Sequence, residues 1–128
     1  MGQSADRILF IDEQGRELWM SSLEYAWETL RLQLASDIPV LEREYQFYPK
    51  RKWRLDKAWV DQKIYIELQG GTWTRGGHSR GAGQTRDCEK LNMLTLMGWR
   101  GLLLTTDMLH GDPDLHFSQL RKLLELDE

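Results

Sequence analysis

Apolar positions along the chain change their period in step with the elements they predict. Ile8-Leu9-Phe10-Ile11 and Leu18-Trp19-Met20 flank a polar stretch holding Gly15. That pattern predicts a β-hairpin over Arg7–Asp12 and Glu17–Met20, with Gly15 in its turn. It would serve equally as an edge ornament or a dimerisation element. The spacing then turns helical: Leu23, Ala26, Trp27, Leu30 and Leu34 predict a helix from Ser21 to about Ala35. Ser21-x-x-Glu24 fits a capping box at its start, and Asp37-Ile38-Pro39 ends it. Glu44–Tyr48 reads as a strand closed by Pro49, and Trp53–Val60 and Lys63–Leu68 as two more about Asp61-Gln62. Gly70–Gly83, with six glycines, predicts a long loop. A helix over Thr85–Met97 would turn Cys88, Leu91, Leu94 and Leu96 or Met97 inward before Gly98 stops it. Arg100–Thr106 is an apolar buried strand, and Phe117–Leu126 a closing helix.

Helix, three strands, helix, strand, helix is the order of an α/β domain with a mixed central β-sheet flanked by helices. The step from the third strand through the 85–97 helix makes the 100–106 strand parallel within the sheet. At 128 residues the chain is expected to form one domain: the hairpin (1–20), a core (21–106) and a C-terminal helix (107–128). No apolar run approaches the ~18–20 residues of a membrane helix, and the first residues lack a signal peptide's apolar stretch. Cys88 is the single cysteine, so no internal disulfide is available and a cytoplasmic setting is expected. Between Asp87 and Glu89 its thiolate would not be activated, which favours a packed residue over a nucleophile.

Net charge, −3, conceals an asymmetry. Residues 43–100 carry twelve Lys/Arg against six Asp/Glu, and the remainder five against fourteen. Phosphate binding depends on the basic surface at a site rather than on total charge, so the central segment is compatible with a nucleic-acid partner. Lys50, Arg51, Lys52 and Arg54 form one candidate contact strip. Arg75 and Arg80 in the glycine-rich loop form another. Trp53 and Trp73 interleave these charges and could stack on bases or simply pack, whereas Trp99 after Gly98 reads as packing. The loop is not a phosphate-binding P-loop, since no Gly-Lys-Ser/Thr ends it.

The candidate chemistry lies on the central strands. Asp56 and Glu67 stand eleven residues apart near the ends of neighbouring strands. Carboxylates beside buried strands are costly unless paired or bound to a cation. A Mg²⁺ ion (or Mn²⁺) held by one or two carboxylates activates a water and stabilises charge in phosphodiester hydrolysis. His110 and His116, near Asp112 and Asp114, lack the spacing of zinc ligands and read as surface residues.

Asp56 followed by Glu67-Leu68-Gln69 at the end of an apolar strand resembles the PD-(D/E)XK nuclease superfamily. The nearest likeness is to its small very-short-patch-repair-endonuclease-like members, including phage-borne ones. The segments Phe47–Ala58, Ile66–Trp73, Gly77–Gly83, Asp87–Asn92 and Gly98–Arg100 follow in the order of that group, within residues 21–106. The resemblance implies a restriction-endonuclease-like αβββαβ core and a Mg²⁺-dependent DNA endonuclease of repair, recombination or phage DNA-processing type, working in a bacterial or phage-infected cell. It implies metal ligands at Asp56, Glu67 and the Leu68 carbonyl. It also implies a helix glutamate, for which Glu24 fits better than Glu28, and an assisting His78. Gln69 stands where the family has lysine. It can hydrogen-bond a water but brings no charge, and Lys90 from the following helix is the candidate replacement. Two alternatives stay open: a catalytically inactive nucleic-acid-binding module on the same fold, and a structural protein whose acidic ends and hairpin dock a partner. Monomer and homodimer are both compatible with the sequence. With no separate recognition domain in 128 residues, DNA shape or a partner protein would direct substrate choice.

Overall fold

A computed structural model describes residues 7–69 and 80–126. Its contacts divide the chain into two compact units, Met1–Ile38 and Pro39–Glu128. The sequence reading groups the first helix with the sheet; this division groups it with the hairpin.

In the first unit, β1 (Ile8–Ile11) pairs antiparallel with β2 (Glu17–Met20), setting Leu9 opposite Trp19. Gly15, at φ 82°, supplies the left-handed turn residue the hairpin needs. The Asp12 carboxylate fixes that turn by accepting from the Gln14 and Arg16 amides at 2.9 and 2.8 Å. Helix α1 (Ser22–Leu34) starts as expected, the Glu24 amide donating to Ser21 Oγ at 3.1 Å. Phe10 packs edge-on against Tyr25. Arg31 bridges Glu28 and Glu13 at 3.1 and 3.0 Å. Glu28 is buried, one helical turn from the arginine that pairs with it.

The second unit holds a four-stranded sheet in the order β3 (Glu42–Tyr45), β4 (Leu55–Trp59), β5 (Ile64–Gln69), β6 (Arg100–Thr105). The first three strands are antiparallel, while β5 and β6 are parallel and joined through α2 (Arg80–Leu96). The mixed sheet flanked by helices and the parallel crossover are thus as the pattern predicts. Strand β3 lies two to three residues earlier than expected, and Glu44, at φ 53°, breaks its regular path. Helix α2 begins at Arg80, so residues 80–83 belong to it rather than to the glycine-rich loop. Gly98, at φ 85°, closes it, and the Trp99 amide reaches back to the Leu94 carbonyl at 2.9 Å. That is a Schellman closure, with Trp99 and Leu94 both in the core. Around them pack Phe47, Leu55, Ala58 and Tyr65.

After β6 the chain forms two helices where one was expected. In α3 (Thr106–Gly111) the Met108 amide donates to Thr105 Oγ1 at 3.1 Å. Asp112 caps α4 (Pro113–Leu123) by accepting from the Leu115 amide at 3.1 Å, with Pro113 in the first turn. Leu109, Phe117 and Leu120 are buried. So is His116, at 3 % exposure, which corrects its reading as a surface residue. Its place next to Phe117 on the inward side of α4 is the reason.

Burial lowers the His116 pKa from 6.5 to about 4. Between those values the unfolded chain binds a proton that the folded one refuses, so stability falls as pH falls. Acidification from pH 7 to 5 is expected to remove about 2 kcal/mol through this residue, a loss that levels off below pH 4. Urea unfolding across that range checks it, and His116→Leu should flatten the dependence.

Candidate functional site

The β4–β5 ladder runs through Trp59↔Ile64, Ala58↔Tyr65 and Lys57↔Ile66, and stops there. Asp56 and Glu67 are the next residues along. Their carboxylates take over where the ladder ends: Glu67 Oε2 accepts from the Asp56 amide at 2.9 Å, and Asp56 Oδ2 from the Leu68 amide at 2.7 Å. Each acid is thereby fixed by the strand of the other. In a strand, the N–H and C=O of one residue point to the same side. The Leu68 carbonyl is accordingly directed to the edge on which Asp56 stands.

Alternation places Asp56, Tyr65, Glu67 and Gln69 on one sheet face, the face that α2 covers through Leu94. From α2, Lys90 Nζ reaches Glu67 Oε1 at 2.6 Å and the Arg54 carbonyl at 2.7 Å. The Lys90 and Glu67 side chains are 16 % and 12 % exposed. Burial and then the Asp56 charge raise the Glu67 carboxyl above its usual range, and Lys90 only partly opposes them. Burial and the Glu67 charge likewise raise the Tyr65 phenol. Two acids held side by side in a poorly hydrated site form a centre whose donors are all oxygen. That donor chemistry fits a hard divalent cation.

No protein-family model, curated protein or solved structure matches this chain.

Asp56, Glu67, Leu68 and Lys90 therefore come together, and Gln69 ends β5 in register with Thr105. Glu24 belongs to the first unit, where it is buried in the opening turn of α1. Trp73, Arg75 and His78 lie outside the described residues, as does the side chain of Arg80. Among the described residues, no group of three or more His, Cys, Asp and Glu is arranged to hold a metal. Magnesium is commonly held by one or two carboxylates together with its waters and substrate phosphates.

In the basic strip, Lys50, Lys52 and Arg54 are exposed. Arg51 is committed elsewhere, to Glu89 at 3.1 Å and to the Trp53 ring at 4.0 Å. Trp53 in turn stacks on Phe47 and Tyr48, so its ring is engaged within the protein. Trp99 packs in the core as expected, whereas Cys88 is exposed rather than inward. From residue 81 to 89 nearly every position of α2 is exposed, so that half of the helix has no inward face.

Sequence reasoning overlooked two features. One is the Arg54 carbonyl as an acceptor for Lys90, which no sequence signal reveals. The other is Lys57, fully buried beside Asp56 on the opposite face and in register with Arg43. Its place in the apolar run Leu55–Val60, at an alternate position with Leu55 and Trp59, was the signal available.

Proposed function

We propose that this protein is a Mg²⁺-dependent DNA endonuclease with Asp56 and Glu67 as its metal-holding acids. What carries the reading is the convergence of those two carboxylates at the end of one ladder, with the Lys90 ammonium 2.6 Å from Glu67. The ladder-end hydrogen bonds orient both acids before any cation arrives, which removes an ordering cost from binding. Mg²⁺, when bound, lowers the pKa of a water and polarises the phosphoryl oxygen. Lys90 brings the positive charge that Gln69 cannot. Lys50, Lys52 and Arg54 lie on the segment leading into β4 and would hold backbone phosphates next to the acids. Substrate structure, by this reading, is selected by shape or by a partner protein.

The test is incubation with plain, nicked and branched duplexes in Mg²⁺, Mn²⁺ or EDTA. Cleavage that needs the metal supports the reading. Salt-sensitive binding without cleavage in either metal would favour an inactive binding module, a reading that draws on Gln69 and on both Glu67 oxygens being hydrogen-bonded. The triple variant Lys50→Ala, Lys52→Ala, Arg54→Ala should weaken DNA binding across all sequences. It should also flatten the slope of log affinity against log salt by about 2–3. An unchanged slope would remove this strip from the interface.

A further inference from the structure

Resting on the metal-site reading above, we propose that Lys90 is a built-in stand-in for the divalent cation, seated on Glu67 in the metal-free protein and displaced when the ion binds. Its ammonium is held by a carboxylate oxygen at 2.6 Å and a main-chain carbonyl at 2.7 Å. Those are the two donor types from which all-oxygen cation sites are built. Glu67 Oε2 and Asp56 Oδ2 are occupied by the Asp56 and Leu68 amides. These bonds anchor the acids whichever cation is present, and they leave Oε1 as the Glu67 oxygen on which cations compete.

Charge decides the direction of the exchange. A divalent ion carries one more positive charge than the ammonium it would replace, so two adjacent carboxylates attract it more strongly. Both cations on the same oxygen, in a pair less than one-fifth exposed, would repel each other strongly. Loading therefore frees the ammonium from Glu67. The flexible lysine stem lets it move without shifting α2. Released next to the exposed Arg54, whose carbonyl it contacts, it adds its charge to the surface that would face a phosphate. The stand-in thus keeps the acids compatible with folding before metal arrives and joins the substrate side afterwards.

Mn²⁺ titration followed by electron paramagnetic resonance, on the full chain, measures the competition. Lys90→Met is expected to tighten Mn²⁺ binding about ten- to hundredfold, the equivalent of one charge-assisted hydrogen bond no longer competing. Lys52→Met, a control for the loss of one exposed charge, should change it far less. The wild-type protein gives a second readout that needs no variant. The Lys90 ammonium resonance, slowed in exchange by its two hydrogen bonds, should lose that protection on Mg²⁺ addition. Equal or weaker binding by Lys90→Met, or an ammonium signal unchanged at saturating Mg²⁺, overturns displacement and leaves the metal site standing. Absence of Mn²⁺ binding in both proteins, or binding undiminished by Glu67→Gln, overturns the metal site and this inference together.

Discussion

Asp56→Asn is expected to lower Mg²⁺-dependent DNA cleavage by ~10³-fold or more, a loss of about 4 kcal/mol in transition-state stabilisation, with little change in thermal stability. Asparagine suits this experiment because its carbonyl oxygen can still accept from the Leu68 amide, the 2.7 Å bond that closes the end of the ladder. The charge is removed while that bond is kept. Alanine would also leave that amide unsatisfied, at a cost of about 1–3 kcal/mol, and would mix a folding defect with a chemical one. Glu67→Gln is a less clean probe. Glu67 accepts from two donors on its two oxygens, and the glutamine NH₂ would have to face either the Asp56 amide or Lys90. Plasmid nicking rates beside melting curves separate the two effects. Wild-type cleavage by Asp56→Asn would remove Asp56 from the chemistry, however well its geometry is built.

Much of this site was legible because it follows from short-range rules. Alternation puts Asp56, Glu67 and Gln69 on one face, and a crossover helix after β5 must pass over one face or the other. That Lys90 reaches Glu67 depends on the register of α2 against the sheet, which periodicity alone does not set. The same gap explains the misplaced Cys88. Its spacing from Leu91 assumed a helix buried along its full length, while the α2 positions from 81 to 89 stay largely in water. His116 erred in the opposite direction: a polar residue among acids looked exposed, but the helix begins at Pro113 and turns it inward with Phe117. Asp112-Pro113 was a readable helix start, an N-cap acid followed by proline at the first position. The burial of Lys57 follows from a sheet covered on both faces, which cannot be seen one strand at a time.

Gly101→Val is expected to destabilise the second unit by about 3 kcal/mol or more. Gly101 stands opposite Tyr65 in the parallel register. A Cβ at this position would lie 2.5 Å from three Tyr65 ring atoms, inside any tolerable contact. Strand propensity pulls the other way, since valine is favoured over glycine by up to about 1 kcal/mol. The overlap outweighs it, because Tyr65 is 7 % exposed and packed with Ala58, Leu94 and Trp99. Neither the ring nor β6 can give way without opening the core. Glu67 is two residues from Tyr65 on the same face, so a displaced ring would also disturb the acid pair. Urea midpoints of Gly101→Val, Tyr65→Ala and the double variant test the cause. If the clash is responsible, truncating Tyr65 makes room for the valine, and the double variant is more stable than the sum of the single losses allows. Strict additivity would mean that Gly101 matters for some reason other than the ring that lies over it.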